Sequence, residues 1–110
     1  MEPVPPSWPR QFRRHSLGWA CAFDSESRLV GAVNVPWDGG FHAFVMDTAV
    51  ARSARRERVG TRLVSMAVEQ ARAAGCEWLH VDFDGEALSR FYFECCGFTP
   101  TIGGLIQLHD

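Results

Sequence analysis

The stretch RRERVG, residues 55–60, puts three arginines and a glutamate directly ahead of an apolar-patterned helix. A helix N-terminus presents unpaired backbone N–H groups and the positive end of the helix dipole. Both suit a phosphate or diphosphate, and arginine adds charge-assisted hydrogen bonds. The same residues also make an ordinary solvated helix start, the reading the stretch favours when taken alone. For proton transfer the candidates are Asp47, Asp82, Asp84, His42 and His80, all on or near expected central strands. His42 and Asp82 reach a shared pocket if their neighbours face the core. Cys95 and Cys96 are adjacent thiols with no histidine nearby in sequence to activate them, so a structural role is expected. Trp37 and Trp78 can line a pocket, but strand aromatics more often pack against a core or interface.

These groups need elements to position them. Residues 17–23, 28–37 and 41–48 read as strands, joined by turn signals at DSES (24–27) and DGG (38–40). The period then changes. Val59, Leu63, Val64, Ala67, Val68, Ala71 and Ala74 recur at helical spacing, and Gly75 is a natural stop. WLHVDF (78–83) reads as the next strand, residues 86–96 as a second helix ending near Gly97, and 98–108 as one or two final strands. A strand, a long helix and a strand predict a parallel βαβ pair. The expected class is a layered α/β (α+β) fold with a mixed, mostly antiparallel central sheet in the order β-β-β-α-β-α-β. Four of the six prolines lie in the first nine residues, so residues 1–10 are expected to form an extended tail before a single domain at 11–110.

With 110 residues there is room for one domain. The net charge of −2 gives no global attraction to nucleic acid or membrane. All eleven cations are arginines, and those at 52–62 lack the basic-aromatic pattern of a nucleic-acid surface. No apolar run reaches membrane-spanning length, and the first residues lack a signal-peptide core. Four cysteines without a CxxC pair predict reduced thiols in the cytoplasm and no metal site.

From about residue 17 to 108 the chain resembles the GCN5-related N-acetyltransferase (GNAT) superfamily. The features that carry the resemblance are ordered: the hairpin LVGAVNVPWDGG, a strand ending in DTAV, the loop RRERVG opening a long helix, the strand WLHVDF, and a helix carrying FYFECCGF. The family's loop signature is Q/R-x-x-G-x-G/A. Arg55 matches its first position and Gly60 its last, while Arg58 stands where the first glycine is usual.

This resemblance implies an acyl-CoA-dependent N-acyltransferase that moves acetyl from acetyl-CoA to an amine by direct attack. Backbone N–H groups of Arg55, Arg56, Glu57, Arg58, Val59, Gly60 and Thr61 would hold the diphosphate, with Arg58 donating from a helical conformation. Thr48, Ala49 and Val50, after Asp47, would align the pantetheine arm like an added strand, which needs a gap before the next strand. Tyr92, the only tyrosine, would protonate the leaving thiolate, with Asp47 and Asp82 as base candidates. Tyr92 stands five residues before Gly97 where the family has four, a surplus that a bulge would absorb. The family's opening strand and helices are absent from the expected order, and an open sheet edge predicts a homodimer. A non-catalytic CoA-binding or interaction module is the alternative.

Overall fold

Three strands follow one another through tight turns: β1 (Ser16–Phe23), β2 (Leu29–Pro36) and β3 (His42–Val50), each antiparallel to the next. Aspartate side chains close both turns. Asp24 accepts from the backbone N–H groups of Glu26 and Arg28, and Asp38 from those of Gly40 and His42. Gly39, at φ +82°, supplies the left-handed residue that the DGG signal anticipates. The computed structural model describes residues 7–55 and 57–109.

A long helix, α2 (Val59–Ala73), crosses to β4 (Trp78–Val81), which returns parallel to β3. Together the strands make one mixed sheet in the order β1-β2-β3-β4. The apolar stripe of α2 does what its spacing predicts. Leu63, Val64, Ala67 and Ala71 are buried against Ala20, Val33, Val35, Ala43 and Val45 of the sheet. Burying a side chain the size of Leu63 contributes about 1.5–3 kcal/mol. The helix lies close on β2 because Gly31 has no side chain: a Cβ there would come within 2.9 Å of Val59 and Leu63. Gly75, at φ +84°, ends α2, with the N–H of Cys76 donating to Ala71 and that of Gly75 to Arg72.

After β4 comes a short α3 (Glu86–Ser89), continued by a widened π turn over Arg90–Cys95. It packs on the same sheet face as α2, through Tyr92, Phe83 and Phe91.

Both ends of the chain differ from the sequence expectation. A helix, α1 (Trp8–His15), begins inside the stretch expected to be an extended tail. Pro9 sits in its first turn, where a missing N–H costs no hydrogen bond. Residues 1–6, also assigned to that tail, lie outside the described residues. At the other end, residues 98–108 form none of the expected final strands. Pro100 and the Gly103–Gly104 pair break the apolar run into pieces too short to pair well. The described order is therefore α-β-β-β-α-β-α.

Candidate functional site

β3 parts from β4 halfway along its length. The parallel pairing covers only His42 to Val45 opposite Trp78 to Val81. From Met46 onward β3 stays paired with β2 alone, so the backbone groups on its other edge have no strand partner among the described residues. A bulge sits at this point. Asn34 opposes Met46 and Ala32 opposes Ala49, so Asp47 and Thr48 together face Val33. The extra residue bends and twists the strand. Asp47 takes the left-handed conformation, φ 57°, which a non-glycine residue rarely adopts. Its carboxylate is held by the side-chain amide of Asn34 at 3.2 Å, and Asn34 in turn accepts from the Ser16 hydroxyl. Asn34 is 2 % exposed, so the anchor is buried while the carboxylate it holds is not. Thr48 carries a buried hydroxyl with no hydrogen-bond partner among the described residues. Beyond Val45, then, β3 keeps one edge without a strand partner among the described residues, and sequence periodicity carried no sign of it.

The loop after β3 leads to the N-terminus of α2. A single 3-10 turn, Arg52–Ala54, tightens it, and the Arg55 Nε donates to the Val50 carbonyl at 3.2 Å, tying the loop to the end of β3. The amides of Arg55 and Glu57 are already engaged, donating to the carbonyls of Arg52 and Ala54. They are therefore not free for an anion, contrary to the expectation for the whole of residues 55–60. The donors with no acceptor among the described residues lie one turn on. The first intrahelical bond is from Arg62 to Arg58, so the N–H groups of Val59, Gly60 and Thr61 have no acceptor in the helix, and no side chain caps them. No acidic residue in the first turn neutralises the dipole. Arg56 lies outside the described residues.

Arg58 is the N-cap, and it is left-handed: φ 60°, ψ 23°. The expectation that it donates from a helical conformation is overturned. The finding also explains the family's glycine here. The position needs a positive φ, which only glycine adopts at little cost.

Tyr92 lies in the π turn and is 6 % exposed. Its ring stacks on Phe83 (5.0 Å between centroids, 23° between planes) and meets Phe91 and Phe98 edge-on. Its hydroxyl has no hydrogen-bond partner among the described residues. The wide turn, with the N–H of Cys96 donating to Phe91 five residues earlier, absorbs the one-residue surplus before Gly97. Phe91 reaches the start of α2: a Cβ on Gly60 would be 3.1 Å from its ring. The tyrosine turn and the helix N-terminus are thus in direct contact through Phe91, a residue sequence reasoning passed over.

Other candidates stand apart. His42 Nδ1 and His80 Nε2 are 2.8 Å apart, one donating and one accepting, and His80 stacks on Phe44. His42 is five residues before Asp47 on β3, roughly 16 Å away along a strand. Asp82 and Asp84 are exposed beyond the end of β4. His42 and Asp82, which could face an acceptor pocket if their neighbours faced the core, therefore stand away from the bulge. Trp37 packs on the core and Trp78 is exposed. Burial raises the Cys96 thiol to about 11, the neighbouring Cys95 adding to the shift, which makes it a poor nucleophile. Among the described residues no three metal-ligating side chains cluster.

On the sheet face opposite α2, α1 leaves a cleft of roughly 200 Å³. Phe12, Trp19, Leu29 and Ala32 form apolar walls, and Arg13 and Asp47 are charged groups on its lining.

A mixed sheet whose parallel pair ends halfway along β3, with a long helix between the two strands, can be compared with known proteins. The sequence profile of the acetyltransferase (GNAT) family matches residues 1–98, and the chain belongs to that family. No curated protein sequence gives a significant match. Among solved structures, an acetyltransferase from Trypanosoma brucei superposes with a TM-score of 0.79 at 20 % identity, covering 96 % of this chain and 81 % of that one. A GNAT family protein from Streptococcus pneumoniae gives 0.76 at 21 %, covering 96 % and 80 %. AAC(6')-Iy, in complex with the bisubstrate analogue CoA-S-monomethyl-acetylneamine, gives 0.70 at 16 %, covering 84 % and 68 %. At these identities the likeness is one of fold. Among the described residues no helix is long and apolar enough to cross a membrane.

Proposed function

We propose that the protein is an acetyl-CoA-dependent N-acetyltransferase acting on an amine by direct attack. The observation that carries this reading is the end of the β3–β4 pairing after Val45 and Val81, together with the amides of Val59, Gly60 and Thr61, which have no acceptor among the described residues. The residues present fit a CoA thioester. The amides at α2 suit its diphosphate, and Arg58, an exposed residue, is the N-cap just before them. The free edge of Thr48, Ala49 and Val50 suits an extended amide-bearing arm, and Thr48 has a buried hydroxyl in need of a partner. A bisubstrate CoA complex in a protein of the same fold is consistent with this placement.

In the reaction the amine nitrogen bonds to the thioester carbonyl carbon and the C–S bond breaks. Asp47, at the bulge, accepts the proton that nitrogen sheds, directly or through one water. Tyr92 supplies a proton to the departing thiolate, its unpartnered hydroxyl being free to donate. Asp82 serves the reaction less well, since it stands beyond β4 in solvent. The four free cysteines fit a cytoplasmic setting.

The open outer edge of β4 and the exposed Trp78 and Phe44 beside it favour a homodimer. Light scattering at two concentrations tests this. One observation favours a non-catalytic CoA-binding module instead: Tyr92 is enclosed in an aromatic cluster. Titration with acetyl-CoA in a calorimeter, beside thiol release across an amine panel, separates the two. Binding without release for any amine selects the module, and no binding removes both.

A further inference from the structure

The acyl-transfer reading leaves the acceptor unnamed, and the cleft under α1 bears on it. One part of its lining is Asp47, two residues beyond the last β3–β4 pair, so a nitrogen held there borders the edge assigned to the thioester arm. Resting on that reading, we propose that this cleft is the acceptor site and that it selects a primary amine carried on a small apolar body, aromatic or branched aliphatic.

Four observations support it. The walls are apolar: Phe12 and Trp19 pack on each other with tilted rings, centroids 6.1 Å apart, and Leu29 and Ala32 join them. Trp19 is 45 % exposed, an aromatic surface that a ligand would cover. Asp47 is the one carboxylate on the lining, so the cleft offers a partner to one ammonium and none to the further charges of a polycation. At roughly 200 Å³ the cleft falls below the ~300–1,000 Å³ typical for drug-sized ligands, which limits the body to a small one.

Asp47 is also built to stay in place. Its strained left-handed backbone is fixed by the bulge, and its carboxylate by buried Asn34, itself bonded to Ser16. Strain retained at a functional position is a common pattern. The carboxylate then holds the ammonium while the apolar body packs against the exposed surface of Trp19 and against Leu29 and Ala32.

The test has two arms. In the first, thiol release from acetyl-CoA is measured with phenethylamine, isopentylamine, spermidine and kanamycin. The expected result is a kcat/KM for the first two at least about ten-fold above the others, lost in Trp19→Ala chiefly through KM. Preferred turnover of spermidine or kanamycin overturns the acceptor inference and leaves acetyl transfer standing. In the second, phenethylamine alone is titrated and followed by ligand-observed NMR. Binding weakened about ten-fold by Trp19→Ala and by Asp47→Asn supports the cleft even where no turnover occurs. Absence of amine binding, or binding that neither substitution weakens, overturns the inference, while failure of acetyl-CoA to bind overturns the acyl-transfer reading separately.

Discussion

Gly60 and Phe91 meet where the start of α2 touches the π turn, and a methyl group on Gly60 would stand 3.1 Å from the Phe91 ring. The glycine that closes the RRERVG loop is therefore also a packing residue. Gly60→Val adds two methyls beyond that Cβ and should destabilise the fold by about 1–3 kcal/mol through overpacking. Urea denaturation measures this. An unchanged midpoint would mean the two elements do not touch.

Arg58 holds the left-handed N-cap, a conformation costing an L-residue about 1–2 kcal/mol. Glycine relieves that cost but loses about 0.4–1 kcal/mol through its freer unfolded chain. Arg58→Gly should thus raise stability by roughly 0.5–1 kcal/mol, a few degrees in Tm. Acetyl-CoA affinity in the same variant shows what the guanidinium contributes. A lowered Tm would contradict the left-handed assignment.

Tyr92 is buried but its hydroxyl has no partner among the described residues, so packing and chemistry separate cleanly. Tyr92→Phe keeps the stacked ring and should change stability by less than about 0.5 kcal/mol. As the acid, its loss should slow thiol release by about 100-fold or more. An unchanged rate in a folded variant leaves Tyr92 as a packing residue only.

Cys96 offers a pH test. Burial, with a smaller contribution from Cys95, raises its thiol from 9.0 to about 11. Because the folded value is the higher one, the associated stability is present below pH 9 and is lost as pH rises through about 11. At pH 8, alkylation of Cys96 by iodoacetamide should be about 100-fold slower in the folded protein than in urea, as read by peptide mass spectrometry. Equal rates would contradict its burial.

Much of the framework was legible because it rests on repeated signals. Leu63, Val64, Ala67 and Ala71 share one helical stripe, and that stripe is the buried face. DGG and Gly75 each mark a backbone that only a few residues tolerate, and both occupy it. Single-residue events were harder. Arg58 and Asp47 adopt positive φ with side chains that carry no such signature. The bulge at Asp47 and the end of pairing at Val81 depend on contacts between strands, which no local pattern encodes. The π turn left a trace, the extra residue between Tyr92 and Gly97, but only against the family spacing. α1 was hidden by the prolines before it, although Pro9 stands where a helix accepts one. The acceptor cleft combines Phe12, Trp19 and Asp47 from three elements, so no motif announces it.

The central claim is acyl transfer from CoA to an amine at the β3–β4 gap. Thiol release from acetyl-CoA, with and without amine, tests it most directly when wild type is set beside Asp47→Ala. The account predicts amine-dependent release that falls by about 100-fold in the variant while acetyl-CoA still binds. Release that is absent for every amine, or equal in both proteins, would contradict it.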